Sequence, residues 1–289
     1  MIMSNRFYKI HKNKIDEFIE LAIKEDVGHG DHSSLSCFDM NANGSLVVTN
    51  NESCVIAGLS LVKKIIQKQN NSIKIKLFIE DGCELKKNQK ILTLSGPKYD
   101  ILAIERLTLN CLQRMSGIAT LTRSLAAKIS HTSCKILDTR KTTPNFRYAE
   151  KWAVLIGGGI NHRMGLFDSI MLKDNHIDFS GSVTLAIQKT KKYLSKNNLN
   201  LPVIVETRNI KEIKECLNFE WITRILLDNM NLVELESAVK LIDNKIQTEA
   251  SGNISALNIV DVAETGVDYV SIGALTHSYK NIDLSMKTI

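Results

Sequence analysis

Residues 202–230 read PVIVETRNIKEIKECLNFEWITRILLDNM and contain two strand patterns separated by one helical pattern. In PVIVETRN and in RILLDNM, a short apolar run ends abruptly in charged residues. The segment between them, IKEIKECLN, repeats its apolar residues at the spacing of a helix face. Apolar strands that alternate with helices are typical of a parallel sheet covered on both faces.

The same pattern recurs on both sides of this stretch. The other strand patterns are KILDTRK (135–141), SIMLKDNH (169–176), IQTEASGN (246–253) and YVSIGAL (269–275). The helical segments between them include SVTLAIQKTKKYLS (182–195), LVELESAVKLI (232–242) and ALNIVDVAETG (256–266). Six repeats over about 140 residues favour a parallel α/β barrel over an open sheet.

The first hundred residues follow a different pattern, which predicts a small α+β domain. Strands are predicted at SLVVTN (45–50), SCVIAG (53–58), SIKIKLFIEDGC (72–83) and ILTLSGP (91–97), and helices at KIDEFIELAIKE (14–25) and LSLVKKIIQKQN (59–70). A long amphipathic helix is predicted from Tyr99 to Ile129, with an interruption near Ser116-Gly117. We therefore predict an N-terminal domain over residues 1–115 and a barrel domain over 116–289, with the last residues packing back on the N-terminal domain.

Composition excludes several classes of protein. The chain has 289 residues, of which 44% are hydrophobic and 24% charged, and only three prolines, which excludes disordered and low-complexity chains. No apolar run approaches the roughly 20 residues that span a bilayer, and the first residues lack the apolar core of a signal peptide. We expect a cytoplasmic protein with no membrane partner. The six cysteines include no CxxC pair, which predicts buried reduced thiols rather than disulfides or a zinc site.

The net charge of +6 has two interpretations, nucleic-acid binding and a site for a small polyanion. Nucleic-acid binders concentrate their cations in a patch or along one helix face, whereas these lysines are dispersed along the chain. We therefore expect no nucleic-acid partner, and the positions of individual charges become the informative observation.

Polar residues follow every predicted barrel strand, where the catalytic groups of such barrels lie. They are Asp138, Thr139, Arg140, Lys141, Lys173, Asp174, Glu206, Asp228, Glu249 and Ser251. One such residue is more often a helix cap or a salt-bridge partner. Six strand ends in succession favour a functional site.

The chemistry of these residues indicates a polyanionic substrate. Arg140, Lys141, Arg163 and Lys173, with His162, supply cations that match carboxylates and phosphates. Glu206 and Asp228 either hold Mg²⁺ through water, bind sugar hydroxyls, or pair with the neighbouring cations. The segments 251–253 and 273–277 have the glycine and serine content of a phosphate-binding loop pair, although ordinary strand-to-helix turns share it.

Three further motifs predict turns rather than cofactor sites. The glycines 157–159 lack the Rossmann pattern. His29-x-x-His32 and Asp174-x-His176-x-Asp178 lack a complete set of ligands with zinc-site spacing.

Together these segments resemble the quinolinate phosphoribosyltransferase family over nearly the whole chain. The segments that carry the resemblance are EDVGHGD (25–31), ERLTLNCLQRMSGIATLT (105–122), ILDTRKTTPNFRYAEKWAVLIGGGINHRMGLFDSIMLKDNH (136–176), VETRN (205–209), LLDNM (226–230), EASGNI (249–254) and VDYVSIGALTHS (267–278). The central segment is long and highly specific.

The resemblance implies a type II phosphoribosyltransferase: an N-terminal open α/β sandwich followed by an irregular, incomplete parallel α/β barrel. It implies that quinolinate and phosphoribosyl pyrophosphate, with Mg²⁺, become nicotinate mononucleotide, pyrophosphate and CO₂ in de novo NAD biosynthesis. It also implies a homodimer with shared active sites, and it leaves open whether the dimers assemble into a higher oligomer.

The resemblance assigns roles to individual residues. Lys141, Lys173, Glu206 and Asp228 are the catalytic candidates, and Glu206 and Asp228 also face the metal, through water. The substrate-binding candidates are Arg106 (from the partner subunit), Thr139, Arg140, His162, Arg163, Lys173, Ser251, Gly252, Asn253, Ser271, Gly273 and His277.

The chain departs from the family pattern beside Glu206. Ile204 stands where the family often has a first glutamate, and Arg208 stands at a commonly acidic position. Glu206 is interpreted as the retained functional acid. The alternatives are a paralogue associated with molybdenum transport, a nicotinate-using phosphoribosyltransferase, and a nonenzymatic anion-binding barrel; the paired cations and retained acids argue against the last two.

Overall fold

The computed structural model describes residues 2–39 and 42–289. In chain order the elements are α1 (Ile2–Val27), α2 (His32–Cys37), β1 (Asn43–Asn50), β2 (Cys54–Val55), α3 (Leu59–Gln69), β3 (Lys74–Leu77), β4 (Glu84–Leu85), β5 (Lys90–Pro97), α4 (Lys98–Ala103), α5 (Glu105–Lys128), β6 (Lys135–Leu137), α6 (Arg147–Gly157), β7 (Ile170–Leu172), α7 (Asp174–Ser180), α8 (Val183–Lys196), β8 (Val203–Thr207), α9 (Ile210–Cys216), β9 (Arg224–Asp228), α10 (Leu232–Ile242), β10 (Gln247–Ser251), α11 (Ile259–Glu264), β11 (Tyr269–Ser271), α12 (Ala274–His277) and β12 (Leu284–Thr288).

The chain divides into two compact units. The first comprises Met1–Arg123, Thr142–Gly159 and Leu275–Ile289, and the second comprises Ser124–Lys141 and Ile160–Ala274. The first unit therefore takes in a segment between β6 and β7, which carries α6, and also the last residues of the chain.

The first unit is built on an antiparallel sheet in the order β12-β1-β5-β3. β1 lies inside this sheet, and its Leu46, Val47 and Val48 are buried. The helix α3 buries one apolar face, formed by Leu59, Leu61, Val62, Ile65 and Ile66, as its sequence period predicts. A separate pair, β2 and β4, runs antiparallel.

The predicted long helix is interrupted at a different place from the one expected. It breaks at Ile104, between α4 and α5, and α5 runs without interruption through Ser116-Gly117. Glycine at position 117 serves packing, because a Cβ atom there would lie 2.2 Å from the Lys280 carbonyl oxygen. Ser116 is buried and its hydroxyl accepts the Ala57 N–H. Ser116 and Gly117 thus let the segments that contain Ala57 and Lys280 pack closely against α5, and they do not end the helix.

The second unit is a parallel six-stranded sheet in the order β6-β11-β10-β9-β8-β7. The first strand of the unit pairs with the last, as in a barrel, and Ile160 bridges to Leu137 on the other edge of β6. All five residues of β8 are buried, in agreement with its continuous apolar sequence. The predicted α/β class with a parallel sheet is confirmed.

Some elements and burial states differ from the predictions. The helices α2, α6 and α7 are short or amphipathic segments that were not predicted; α2 begins where Asp31 accepts the backbone N–H groups of Ser33 and Ser34. All six cysteines are free, as predicted, but Cys37 and Cys83 are exposed rather than buried. In the part of the chain that the structure describes, no helix has the length and apolar character needed to cross a membrane.

Candidate active site

The candidate residues of the second unit collect where its strands end. Because side chains alternate along a strand, Glu206 of β8, Asp228 of β9 and Ser251 of β10 lie on one face of the sheet. Asp228 and Ser251 are direct register partners. Ser271 ends β11 and is buried, and its register partner is Leu137 of β6, from which Thr139, Arg140 and Lys141 follow. Parallel pairing thus brings residues from distant parts of the sequence to one edge.

Lys173 and Glu206 form an ion pair at this edge. The Nζ atom of Lys173 lies 2.8 Å from Oε2 of Glu206, and their side chains are 48% and 8% exposed. The carboxylate is therefore mostly buried, while the ammonium still reaches solvent. Salt bridging was one of the alternatives for Glu206, and the structure shows this pair. The exposed side of Lys173 is accessible to an anion.

The residues after Lys173 have structural roles. The Nδ1 atom of His176 accepts the backbone N–H of Lys173 at 3.0 Å and caps α7. Asp178 accepts two hydrogen bonds from the Arg208 guanidinium, which also binds Glu212. These hydrogen bonds raise the pKa of Arg208 above its ordinary value. Arg208 thus links α7 to α9.

Arg163 and Arg140 place two positive charges near each other. Arg163 donates from Nη1 to the Ser169 carbonyl oxygen at 3.0 Å. Its burial, and next the positive charge of Arg140, lower the pKa of the Arg163 guanidinium below its ordinary value. A guanidinium still keeps its charge in proteins. The negative charge of Asp168 acts on Arg163 in the opposite direction and offsets part of this repulsion. Two guanidinium groups in one region favour a ligand with more than one negative group.

The segment that carries Arg163 is fixed by Asp138, the residue directly after β6. The Asp138 carboxylate accepts the backbone N–H of His162 at 2.8 Å and the side-chain amide of Asn161 at 2.6 Å. The backbone N–H of Arg163 then donates to Nδ1 of His162 at 2.7 Å. His162 is itself buried. Asp138 therefore positions two of the predicted substrate-binding residues.

Two buried charges that the sequence left without a role lie beneath these residues. Glu249 of β10 accepts a hydrogen bond from Nη1 of Arg224 at 2.9 Å, and its Oε2 atom lies 3.3 Å from Nε2 of His162. Burial by itself would raise the pKa of the Glu249 carboxyl, but His162 and Arg224 outweigh it and hold that pKa below its usual range. The sequence placed Glu249 among the strand-end residues, two residues before Ser251, but gave no sign of its partners.

The loops that follow β9 and β10 contact each other closely. The backbone N–H of Asn229 donates to the Ser251 carbonyl oxygen at 2.8 Å, and its side-chain amide donates to Asp228. Gly252 has φ +99°, and a Cβ atom there would lie 2.1 Å from Oδ1 of Asn229. Asn253 donates to the same Oδ1 at 3.3 Å. Gly252 is therefore required by this approach between loops, which fixes the shape of the candidate phosphate loop.

The remaining candidates fall in three places. Thr139 accepts the backbone N–H of Lys141 at 3.0 Å and so shapes the turn after β6. Gly273 lies between β11 and α12. Arg106, in the first turn of α5, and His277 are exposed and belong to the first unit. Their placement relative to the strand ends stays a prediction.

Comparison with known proteins relates both parts of the chain to one family. The model of the quinolinate phosphoribosyl transferase N-terminal domain matches residues 31–116, and that of the C-terminal domain matches residues 118–287.

Individual relatives agree over nearly the full length. The rice chloroplastic protein named nicotinate-nucleotide pyrophosphorylase [carboxylating] is 43% identical over 284 residues, which cover 93% of this chain and 76% of the relative. The nicotinate-nucleotide pyrophosphorylase structure from Francisella tularensis has a TM-score of 0.88 at 35% identity and covers 96% of each chain. The structure of NadC from Streptococcus pyogenes has a TM-score of 0.89 at 36% identity, covering 95% of this chain and 97% of that one.

The resemblance inferred from the sequence is thus confirmed by two family models, by a curated relative and by solved structures that share the fold. The chain belongs to the quinolinate phosphoribosyltransferase family of enzymes.

Proposed function

We propose that this enzyme transfers the phosphoribosyl group of phosphoribosyl pyrophosphate to the ring nitrogen of quinolinate, releasing pyrophosphate and CO₂ and forming nicotinate mononucleotide for de novo NAD biosynthesis. The observation that carries the proposal is that cations and carboxylates converge at the strand ends of the second unit. Arg163 beside Arg140 and the Lys173–Glu206 pair are the examples.

The cations support binding of a dicarboxylate. Arg140, Arg163 and Lys173 offer more positive charge than the single carboxylate of nicotinate needs. We assign these three residues, together with Thr139 and His162, to the two carboxylates of quinolinate. Arg106 from a partner subunit completes this set.

The other strand ends are assigned to the phosphoribosyl donor. Lys141 faces its pyrophosphate, and Glu206 and Asp228 face the ribose. The 5′-phosphate is assigned to the loops that contain Ser251, Gly252, Asn253, Ser271, Gly273 and His277. The close approach of Asn229 to Gly252 supports this assignment, because it holds the first of these loops in a defined shape before the donor binds.

The carboxylates fit a magnesium ion that arrives with the donor. In the described ranges, 2–39 and 42–289, no three His, Cys, Asp or Glu side chains form a ready metal site. Mg²⁺ is usually held by one or two carboxylates together with substrate phosphates and water, and Glu206 and Asp228 provide two carboxylates on one face of the sheet. When bound, the ion would supply positive charge against the leaving pyrophosphate.

The transfer needs positioning and charge rather than a protein nucleophile. The bond between the anomeric carbon and the pyrophosphate oxygen breaks, its electron pair leaves with pyrophosphate, and the ring nitrogen forms the new bond. Positive charge develops on the ribose, where Glu206 and Asp228 stabilise it, while Lys141 stabilises the leaving group. Holding the ring nitrogen near that carbon supplies a further advantage.

Decarboxylation follows from the new bond. The nitrogen is now cationic, so the adjacent carboxylate leaves as CO₂ and its electron pair stays on the ring carbon as a stabilised ylide. That carbon then takes up one proton to give the product.

The homodimer with shared sites and the cytoplasmic location, both expected from the sequence, stay predictions.

The substrate assay tests the proposal. The purified protein is incubated with quinolinate, nicotinate or nicotinamide, each with phosphoribosyl pyrophosphate and Mg²⁺, and both nucleotide and CO₂ are measured. We expect turnover of quinolinate far above the other two, with one CO₂ per nucleotide. Equal or greater turnover of nicotinate would contradict the proposal. Binding of quinolinate without turnover would favour an anion-binding barrel, and neither binding nor turnover would favour the paralogue associated with molybdenum transport.

The metal is tested in the same assay. Excess chelator is expected to abolish turnover, and an excess of Mg²⁺ over chelator is expected to restore it. Full activity in chelator would remove the metal from the proposal and leave the transfer itself in place.

A further inference from the structure

A row of buried polar side chains lies beneath the strand ends of the second unit. Arg224 begins β9, and its guanidinium reaches Glu249 at 2.9 Å while it stacks on the Tyr269 ring, 4.0 Å from the ring centroid. Glu249 lies 3.3 Å from His162. The Glu249 side chain is 1% exposed, His162 is 6% and Arg224 is 14%. The last residue of the row, His162, directly precedes Arg163 in the sequence.

The contacts of His162 define its tautomer. A backbone N–H can only donate, so Nδ1 of His162, which takes the Arg163 N–H at 2.7 Å, must carry the lone pair. In the neutral ring the proton is then on Nε2, the atom that faces the Glu249 carboxylate. A carboxylate at this position favours that tautomer over the other one.

The tautomer has a consequence for Arg163. With Nδ1 unprotonated, His162 accepts the Arg163 backbone N–H; with Nδ1 protonated, two donors would face each other and that hydrogen bond would be lost. The Arg163 backbone and its guanidinium, held at the Ser169 carbonyl, would then shift. Displacements of about 1 Å in a substrate-positioning group can cost about 10²-fold in kcat/KM.

Stability alone is a weak explanation for this arrangement. Buried ion pairs such as Arg224–Glu249 contribute little net stability, because desolvation of both charges offsets their attraction. Neutral side chains of similar size could fill the same space. What only a carboxylate supplies here is a negative charge 3.3 Å from Nε2 of His162, which favours the proton on that nitrogen.

We propose that Glu249 is a positioning residue: its carboxylate selects the Nε2-protonated tautomer of His162 and so holds Arg163 in place for a carboxylate of the substrate. The structural half of this inference concerns the tautomer and stands by itself. The kinetic half rests on the proposed function.

The tautomer is measured directly by long-range ¹H–¹⁵N NMR of the histidine rings at neutral pH. The signal of His162 is assigned with His162→Asn. We expect a protonated Nε2 and an unprotonated Nδ1 in the wild-type protein, and a loss of this preference in Glu249→Gln. A protonated Nδ1 in the wild-type protein, or an unchanged tautomer in Glu249→Gln, would overturn the inference whatever the enzyme's substrate.

The kinetic test compares Glu249→Gln with a matched control. Glu264 also faces a histidine, His131, at 2.9 Å, but both side chains are more than half exposed, so Glu264→Gln should match the wild type. We expect Glu249→Gln to lower kcat/KM for quinolinate about 10²-fold, mainly through KM, and to leave KM for phosphoribosyl pyrophosphate within about twofold. A folded Glu249→Gln with the wild-type KM for quinolinate, or with both KM values raised equally, would overturn the positioning role.

A second variant covers the case in which Glu249→Gln does not fold, because it leaves Arg224 buried beside a neutral group. Glu249→Gln combined with Arg224→Met removes both charges and is expected to recover stability while the quinolinate defect remains. A folded double variant with the wild-type KM for quinolinate would overturn the inference. A wild-type protein that does not turn over quinolinate would instead contradict the proposed function, and the NMR result would still decide the tautomer.

Discussion

The ammonium of Lys173 lies 2.8 Å from the carboxylate of Glu206, although the first residue follows β7 and the second lies in β8. Parallel pairing of these strands brings them together. Since the carboxylate is mostly buried and the ammonium is half-exposed, Lys173 has one side toward Glu206 and one toward solvent. An incoming substrate carboxylate would meet a cation that is already fixed in direction, which lowers the entropic cost of binding.

Replacing Lys173 with methionine should remove this fixed cation and leave the Glu206 carboxylate without its partner. We expect Lys173→Met to fold and to lose about 30-fold or more in kcat/KM for quinolinate, because a charge-assisted contact at a site is worth about 2–5 kcal/mol. Steady-state kinetics measure the effect. Lys240→Met is the control, since Lys240 is mostly exposed and its partner Glu236 lies 4.0 Å away. Wild-type kinetics of folded Lys173→Met would remove this residue from the site.

Replacing Gly252 with alanine should distort the candidate phosphate loop. Its φ of +99° strains any L side chain, and the new Cβ atom would collide with the Asn229 side chain. Gly266→Ala is a matched control, since its φ is +90° but its Cβ atom would meet only Val239 at 3.5 Å. Both variants should lose about 1 kcal/mol or more of stability from backbone strain, and only Gly252→Ala should raise KM for phosphoribosyl pyrophosphate. Equal KM values in the two variants would show that this loop does not bind the donor.

Mixing two inactive variants should restore activity if the sites are shared between subunits. Arg106→Ala removes the guanidinium assigned to the partner's site, at a cost of roughly 2–5 kcal/mol in the productive complex, and Lys141→Ala inactivates the other half of the site. Some heterodimers then keep one intact site, so part of the activity returns. Arg106→Ala mixed with itself is the control. Demonstrated subunit exchange without any returning activity would refute the shared site.

The stability contribution of Glu249 should depend on pH. Because the pKa of its carboxyl is lowered in the folded protein, this contribution is present above the ordinary glutamic acid pKa of about 4.3 and is lost as the pH falls through the lower folded value. Urea unfolding at a series of pH values should therefore show the largest difference between the wild type and Glu249→Gln near neutral pH, and a shrinking difference in acid. For Glu264→Gln the difference near neutral pH should be small, because the side chains of this pair are more than half exposed. A difference for Glu249→Gln that does not change with pH would contradict the lowered pKa.

The sequence predicted the parallel sheet because strands buried on both faces need continuous apolar runs, and such runs are visible in the sequence. The run VIVET is apolar up to Glu206, and all of it is buried. The same property located the strand ends, because most of the charged residues of these segments follow directly after the apolar run.

The partners of the supporting residues could not be found this way. Arg224 and Glu249 are charged residues within or at the start of buried strands, and their partners come from other strands, so no local pattern shows the pairing. The misplaced helix interruption has a related cause. Gly117 looks like a helix break locally, but it faces the backbone of Lys280, far away in the sequence.

The pairing of β1 with β12 sets an order for biosynthesis. Asn51 donates to Ser285, 234 positions later, and the backbone ladder beside it joins Val48 to Met286. While the ribosome is still making the second unit, the edge of β1 that β12 will cover has open hydrogen-bonding groups, which another nascent chain can pair with. The first unit to emerge is thus finished after the second, and its sheet closes only when β12, residues Leu284–Thr288, has left the exit tunnel.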